Sequence, residues 1–376
     1  MNILITTWSL AHFTGAELYA RDLALALQRR GHYVAIYTIF EGRLAQTARA
    51  AGIAVITNLR DSPFVPDVIH GHHQPALLDA LLRFPRTPAL FVIHDADAAR
   101  DAPIAFPRIR RFVAVDQRCL ARIVEDEAGI PVEQCRLIPN FVDLDRFRPR
   151  PLLPERPERA LVFSSYATHA THLPAVLAAC ERLGLPVDVV GRGVGNLIET
   201  PENVLGRYDL VFAKARCAIE AMAVGAAVVL CDFRGLGPMV TSGDFDRLRS
   251  MNFGAGTLVS PLEPDLIARE VAKYDRRDAA FVCGRIRSEA GLTRVADQLL
   301  DLYGEILADP ATERAMIQAD DTLLLRLNAR WASARRKETL VDLMRRVRRI
   351  PLIGPIAYEA WRAGERAIKP GSAPGR

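Results

Sequence analysis

Short apolar strands alternate with amphipathic helices twice along this chain, and a segment rich in proline and arginine separates the two series. The first series runs from a strand at Asn2–Thr6 to a strand at Arg136–Ile138. The second restarts with a strand at Ala160–Ser164 and includes a predicted strand at Thr257–Val259. The separating segment, Arg146–Arg159, holds four prolines and five arginines, which favours a linker. Repeated strand–helix alternation is typical of parallel sheets covered by helices on both faces. The sequence therefore predicts an α/β fold in which two doubly wound, Rossmann-like domains face a cleft.

Charge is distributed unevenly between this body and the end of the chain. Residues 311–376 hold fourteen Lys/Arg and seven Asp/Glu, whereas the first 310 residues carry a net charge of about −2. We predict an N-terminal domain at 1–150, a C-terminal domain at 151–310 and a basic helical tail at 311–376. Within the tail, Glu338–Arg349 is amphipathic and Lys369–Arg376 is expected to be disordered. A near-neutral body argues against nucleic acid as a partner. The tail is interpreted either as a contact to an anionic membrane or as a helix packed across the domains or a solvated arm.

Cysteine usage and hydropathy indicate a reducing compartment. The six cysteines are scattered without a CxxC pair, which is typical of free thiols and not of a disulfide or zinc framework. The first ten residues lack the basic start of a signal peptide, and the longest apolar run, Ala221–Cys231, is too short to cross a bilayer. We expect a cytoplasmic protein, with peripheral attachment to the inner face of the plasma membrane as a further possibility through the tail.

One carboxylate stands out because its surroundings are apolar. Glu220 lies in the segment Tyr208–Val224, between short strands at Leu210–Phe212 and Ala226–Leu230. In a strand–helix–strand unit, ligands bind at the carboxyl ends of the strands, where ribose hydroxyls would satisfy such a carboxylate. The alternative is an ion pair with Arg216, one helical turn earlier.

Four segments resemble motifs of the retaining, family-4-like glycosyltransferases of the GT-B fold. The resemblance extends from Met1 to about Leu307, and the last two segments are the most specific. The segments are Thr14–Glu17 with the following Arg30–His32, Val92–Asp95, Ile138–Pro149, and Glu220–Val229.

The resemblance implies transfer of a sugar from a nucleotide-diphosphate donor, held by the C-terminal domain, to a glycan or lipid-linked acceptor, held by the N-terminal domain. It also implies retention of anomeric configuration, no metal and no cofactor beyond the donor substrate. His94 matches the family's histidine beside the transferred sugar, and Glu220 would hold the ribose. The loop at Thr14 and Gly15 would present backbone N–H groups to a diphosphate or an acceptor oxyanion. An ordinary strand–helix turn, with Glu17 facing the helix dipole, and a structural His94 are the alternatives.

The chain departs from the family pattern at three places. Phe212 replaces a second glutamate, Phe141 replaces a glycine, and residues 164–172 lack the usual phosphate-binding Arg and Lys. Donor binding must therefore use other groups. Lys214 and Arg216, at the start of the Glu220 helix, are the candidates for the diphosphate. Glycine-containing segments supply further donor-site candidates at Gly191, Gly193 and Gly235, and we expect residues 235–238 to line the cleft.

Other functions stay open at this point. The missing glutamate and missing cations favour, as an alternative, a GT-B binding or scaffold protein with little or no transfer activity, and a nucleotide-sugar epimerase is a third reading. The histidines His70, His72 and His73 suggest a metal site, but only Asp67 is close in sequence and no cysteine accompanies them, so we predict no metal.

Overall fold

The computed structural model describes residues 1–126, 128–318 and 320–347, together with residues 359 and 361. The chain divides into two compact units, Met1–Ala319 and Asp320–Arg376. The first unit contains two separate β-sheets, in agreement with the predicted α/β architecture.

The first sheet has seven strands in the order β3-β2-β1-β4-β5-β6-β7, and every pair is parallel. The order reverses between β1 and β4, so the loops that follow these two strands diverge to opposite faces and leave a crevice at their carboxyl ends. The elements of this half are β1 (Asn2–Leu10), α1 (Gly15–Arg29), β2 (Tyr33–Glu41), α2 (Arg43–Ala50), β3 (Ala54–Ile56), β4 (Val68–His72), α3 (Gln74–Arg83), β5 (Ala89–Ile93), β6 (Ile109–Ala114), α4 (Gln117–Val124) and β7 (Cys135–Leu137).

The second sheet has five strands in the order β12-β11-β10-β8-β9, and its direction of winding reverses between β8 and β10. All pairs are parallel except β11 with β12, which is antiparallel. The elements are β8 (Ala160–Phe163), α5 (Leu173–Arg182), β9 (Val187–Val190), β10 (Leu210–Ala213), α6 (Ala215–Ala223), β11 (Ala227–Asp232), β12 (Gly235–Met239), α7 (Phe245–Ser250), α8 (Pro264–Val271) and α9 (Arg276–Glu289).

The core of the second half follows from the two-residue period of its strands. On β10, Leu210 and Phe212 belong to one buried cluster, whereas Val211 and Ala213 belong to the cluster on the opposite face. Helix α5 and helix α8 cover the first face, and α6 and α9 cover the second. Because both faces are covered, the strands are apolar throughout, which is why short apolar runs revealed them in the sequence.

The helix that follows the second half returns to the first. Helix α10 (Leu292–Ala308) packs against α1 and β6, and helix α11 (Pro310–Gln318) packs against α10. The buried Tyr303 of α10 shares a hydrogen bond of 2.6 Å between its hydroxyl and Nδ1 of His70. Residues assigned by sequence to the C-terminal domain therefore complete the N-terminal core.

Two segments at the end of the second sheet differ from the secondary structure that the sequence indicated. The predicted strand at residues 257–259 is absent, and Ala255–Thr257 forms a single turn of 3-10 helix instead. Residues 235–238, which were expected to line the cleft and were not predicted to form a strand, lie in β12, where Leu236 pairs with Cys231. A strand with two glycines and a proline carries little propensity of its own, and β12 forms because it adds to the exposed edge of β11.

The second unit is described by one helix, α12 (Thr322–Val347). Its side chains at Leu325, Leu340 and Leu343 are exposed, whereas Leu324 is buried. The predicted amphipathic segment 338–349 is described as helix only to Val347. The predicted disordered end, 369–376, lies outside the described residues.

Candidate functional site

The first sheet brings four histidines together at the carboxyl ends of β4 and β5. His70 and His72 lie on the same face of β4, His73 begins the loop after it, and His94 follows β5. Nδ1 of His72 lies 2.7 Å from Nε2 of His94, and the rings of His70 and His72 are 4.6 Å apart. No group of three or more His, Cys, Asp or Glu side chains in the described part of the chain is arranged to hold a metal ion.

Burial keeps these histidines neutral. It lowers the pKa of His94 to about 4 and that of His73 to about 3, and it also lowers the pKa of His72. The backbone N–H of His94 donates to Oδ1 of Asp101 at 3.0 Å. This hydrogen bond holds the start of the loop that follows β5. A neutral imidazole both donates and accepts hydrogen bonds, so His94 is suited to orienting a hydroxyl and not to pairing with an anion.

The loop between β1 and α1 is open at its tip and braced at its base. Thr14 and Gly15 are exposed, and among the described residues no atom beyond the chain neighbours of Gly15 lies within 4 Å of the position that its Cβ would take. Glu17 is buried, and its carboxylate accepts a hydrogen bond of 2.9 Å from the backbone N–H of His12. The side chain of Thr14 does not cap the helix, so it satisfies none of the first N–H groups of α1. Glu17 shapes the loop, and Thr14 and Gly15 form its exposed end.

Arg216 connects the two halves of the first unit. Its Nε donates to Oε1 of Glu220 at 2.7 Å, and its Nη2 forms an ion pair with Asp22 of α1, which Arg21 also contacts at 2.5 Å. Arg146 approaches the same Asp22 carboxylate at 3.6 Å. The ion pair that was the alternative interpretation of Glu220 is thus present in the structure, and Arg216 is committed to two carboxylates.

Burial and charge act in opposite directions on this network. Burial raises the pKa of Glu220, and the nearby Arg216 offsets this only in part. Burial also acts on Asp22, but Arg216, Arg21 and Arg146 together lower its pKa. Oε2 of Glu220 has no hydrogen-bond partner among the described residues, so one oxygen of this carboxylate remains able to accept from a ligand.

Phe141 fills the space beside the Arg216 ion pairs. It occupies a position where the family that this chain resembles has glycine. Its ring is buried, lies 4.4 Å from the ring of Tyr19, and carries the Arg216 guanidinium 5.9 Å from its centroid. Tyr19 in turn is 5.0 Å from His94. Aromatic rings therefore join the histidine cluster of the first sheet to the Arg216–Glu220 pair of the second.

Lys214 lies at the reversal point of the second sheet, between β10 and α6. Its Nζ pairs with the buried Oδ2 of Asp232 at 2.8 Å, and it lies 5.6 Å and 5.8 Å from the ring centroids of Tyr166 and Phe233. His172, at the start of α5, is buried close by, and neither of its ring nitrogens has a hydrogen-bond partner among the described residues. These side chains come from the ends of β8, β10 and β11, the position at which a doubly wound sheet binds ligands.

The candidate glycines are explained by backbone packing. A Cβ on Gly191 would lie 1.9 Å from the carbonyl oxygen of Ser164, and one on Gly193 would lie 2.2 Å from that of Ala167. Gly235 is buried in β12 with φ +152°, and its Cβ would meet the Ser260 carbonyl oxygen at 2.9 Å. Gly191 and Gly193 thus hold the loop after β8 against the end of β9, whereas Gly235 packs against the backbone at Ser260.

Sequence reasoning missed several residues of this arrangement. Asp22 was not singled out because its partner, Arg216, is 194 residues away. Asp232 was not recognised although it ends the strand after Glu220, where a carboxylate directly follows an apolar run. His172 was noted only as part of a segment without Arg or Lys.

Comparisons with known proteins agree with this architecture. Residues 13–146 match the model of the family described as Glycosyltransferase Family 4. Two solved structures of Alr3699/HepE from Anabaena are similar to the chain, one in complex with UDP and glucose and one with UDP-glucose. Their TM-scores are 0.60 and 0.58 at 16% and 15% sequence identity, and each match covers 81% of this chain and 99% or 100% of the HepE chain. No curated protein sequence matches significantly. The chain is therefore similar to family 4 glycosyltransferases over residues 13–146, and its two sheets have the GT-B fold.

Proposed function

We propose that this protein is a glycosyltransferase that moves a sugar from a nucleotide-diphosphate donor to a glycan or lipid-linked acceptor with retention of configuration. The main support is that each sheet places polar groups at the point where its strand order reverses. Arg216 bridges the two halves of the first unit there. The family match over residues 13–146 and the UDP-bound HepE structures support this reaction class and make UDP the first nucleotide to test.

The second sheet would hold the donor. Lys214 is the cation nearest the reversal point, and a diphosphate placed there would compete with Asp232 for its ammonium group. The free oxygen of Glu220 would accept from the ribose hydroxyls. Arg216 was a candidate for direct phosphate contact. Its pairing with Asp22 and Glu220 favours instead a role in orienting Glu220.

The first sheet would hold the acceptor and the transferred sugar. His94 is neutral and partly exposed at the end of β5, so it would orient a sugar hydroxyl. The open end of the β1–α1 loop, at Thr14 and Gly15, would receive an anionic part of the acceptor on the free N–H groups of α1.

In the proposed step, the bond between the anomeric carbon and the diphosphate oxygen breaks. The acceptor hydroxyl oxygen bonds to the same face of that carbon, and its proton passes to the departing diphosphate. Negative charge develops on the diphosphate as the bond breaks, and Lys214 would stabilise it. Closure of the two halves around the substrates would exclude water from the reaction.

Calorimetric titration with UDP, ADP and GDP tests the donor site. We expect at least one nucleotide to bind, and Lys214→Ala to weaken that binding about 10- to 100-fold, since a charged hydrogen bond contributes roughly 1.5–3 kcal/mol. Glu220→Gln should weaken binding less. Asp209→Asn is the matched control, because Asp209 is a buried carboxylate paired with Arg150 at 3.0 Å at the opposite end of β10. Unchanged binding in Lys214→Ala would contradict the assignment of the donor site.

Measuring sugar transfer distinguishes a glycosyltransferase from the alternative functions. Glu220 is already paired with Arg216, and Phe141 fills the space beside this pair. Both observations favour, as a second candidate, a binding or scaffold protein. Binding of a nucleotide sugar with no transfer to any glycan or lipid-linked acceptor would support it. Conversion of the nucleotide sugar without an acceptor would support an epimerase.

The tail supports a proposed place of action at an anionic membrane, where lipid-linked acceptors for surface polysaccharide or glycoconjugate synthesis would be met. Helix α12 contains seven Lys/Arg and two Asp/Glu, and it exposes leucines beside Arg326, Arg330 and Arg336. Within the described residues, no helix is both long and apolar enough to cross a membrane. We therefore propose peripheral attachment through this helix at the cytoplasmic face.

A further inference from the structure

His172 is a buried histidine that has no hydrogen-bond partner in the part of the chain that the structure describes. It is 1% exposed, and neither Nδ1 nor Nε2 bonds to any of these residues. Buried polar groups without partners are rare, and those at a ligand-binding edge are often satisfied by the ligand. His172 lies at the end of the loop after β8, directly before α5, and this loop borders the reversal point of the second sheet.

The charges around His172 explain why a further cation is needed there. Lys214, from the end of β10, is already neutralised by Asp232, from the end of β11, at 2.8 Å. These two groups are the charges that act on His172, and their effects on its pKa oppose each other. Helix α8, which packs against α5, directs its carboxylates elsewhere: Asp265 pairs with Arg182, and Glu270 pairs with Lys273. His169, the other histidine of the loop, is exposed.

A diphosphate at this edge would therefore meet a cluster whose net charge is zero as long as His172 is neutral. Burial lowers the pKa of His172, so the ring is neutral at pH 7 in the free protein. Two phosphate charges next to the ring favour its protonated form, in which both nitrogens donate hydrogen bonds. The proton supplies the positive charge that Arg and Lys supply in the family that this chain resembles.

We propose that His172 takes up a proton when the donor diphosphate binds, so that a Lys214–Asp232–His172 cluster replaces the missing phosphate-binding cations and makes donor affinity depend on pH. This inference rests on the proposed function and deepens it. Because protons and nucleotide bind together, affinity rises as pH falls between the pKa of His172 in the complex and its lower pKa in the free protein.

Isothermal titration of UDP into the full-length protein, in two buffers of different ionisation enthalpy, measures this uptake directly. At pH 7.5 we expect the wild-type protein to bind up to one more proton per UDP than His172→Asn does. The UDP dissociation constant of the wild type should increase up to tenfold per pH unit over the linked range, whereas that of His172→Asn should change much less. The difference between the two proteins removes the contribution of the phosphate's own titration.

His169→Asn is the matched control, because it removes an exposed histidine from the same loop and should behave as wild type. If His172→Asn does not fold, as judged by its thermal transition, His172→Gln provides the second variant. Equal proton uptake by the wild type and the His172 variant, with UDP bound, would overturn the inference and leave the proposed function intact. Failure of UDP, ADP and GDP to bind the wild type at any pH would overturn both.

Discussion

At the scale of single residues, Asp22 balances a group of buried and partly buried charges that connects the two halves of the first unit. Asp22, Glu220 and Glu202 face Arg21, Arg146 and Arg216, so positive and negative charges are equal in number. The desolvation cost of such a group is offset only while every charge retains its partner.

Replacing Asp22 with Asn should therefore destabilise the protein, because it leaves the buried Arg216 with one carboxylate instead of two. Loss of one member of a buried ion pair costs about 3–5 kcal/mol. Urea denaturation of Asp22→Asn measures the change in the free energy of unfolding. Asp188→Asn, which breaks an exposed pair with Arg159, is the control and should change it by less than about 1 kcal/mol. A loss no larger than that of the control would show that Asp22 does not hold the halves together.

A second prediction at this scale concerns Phe141, whose buried ring lies close to both Tyr19 and Arg216. Phe141→Ala should lower the free energy of unfolding by about 3–5 kcal/mol through the cavity it leaves. If the ring also restricts access to the cleft, nucleotide affinity should increase in the same variant, as measured by titration. Unchanged stability would mean that the ring is not packed as the structure shows.

At the scale of elements, the end of β4 concentrates neutral histidines, and this makes stability depend on pH. Burial lowers the pKa of His70 and His73 to about 3 and that of His94 to about 4, and it lowers the pKa of His72 as well. The unfolded chain binds protons at these histidines below pH 6.5, whereas the folded chain does not. Stability is therefore complete above pH 6.5 and decreases as the pH falls from 6.5 towards 4.

Each of these histidines contributes a slope of about 1.4 kcal/mol per pH unit in that window. Urea denaturation at pH 7.5, 6.5 and 5.5 should show a flat upper interval and a steep lower one. The variant His70→Asn should have a shallower slope below pH 6.5, while His169→Asn, at an exposed histidine, should match the wild type. A free energy of unfolding that is constant down to pH 5.5 would contradict neutral burial of the cluster.

Helix α12 carries the prediction about membranes. Each Lys or Arg near an anionic surface contributes about 1 kcal/mol, so Arg326→Gln, Arg330→Gln and Arg336→Gln together should weaken binding to phosphatidylglycerol vesicles about 100-fold. Vesicle co-sedimentation of the full-length protein measures this. A triple variant of exposed arginines in the first unit, Arg60→Gln, Arg86→Gln and Arg294→Gln, is the control with equal charge loss. Equal effects of the two triple variants would assign membrane binding to overall charge and not to α12.

At the scale of the whole molecule, local sequence patterns predicted most helices and strands. The differences between prediction and structure arise from contacts between residues far apart in the sequence. Apolar runs located most strands because both faces of each sheet are covered. Residues 235–239 were missed because pairing with β11 overrides their glycine and proline content. A strand at residues 257–259 was wrongly predicted because Leu258 packs into the core outside a sheet, while Val259 is exposed.

The same division applies to the site. The positions of Lys214 and His94 directly after strands, and of Glu220 in the helix that follows Lys214, followed from the alternation of strands and helices. The partner of Glu220 could not be predicted in this way. A carboxylate in this sequence pattern is satisfied equally well by an arginine four residues away or by a ligand. The ion pair of Asp22 with Arg216 and the packing of α10 on α1 and β6 join residues that are far apart in sequence, so spacing along the chain predicts neither.

The most direct test of the central claim is a crystal structure of the protein with a bound nucleotide diphosphate. We predict that the diphosphate lies at the reversal point of the second sheet, within hydrogen-bonding distance of Lys214 and His172, and that the free oxygen of Glu220 accepts from the ribose. A nucleotide found elsewhere, with Lys214 still bound only to Asp232, would contradict the account.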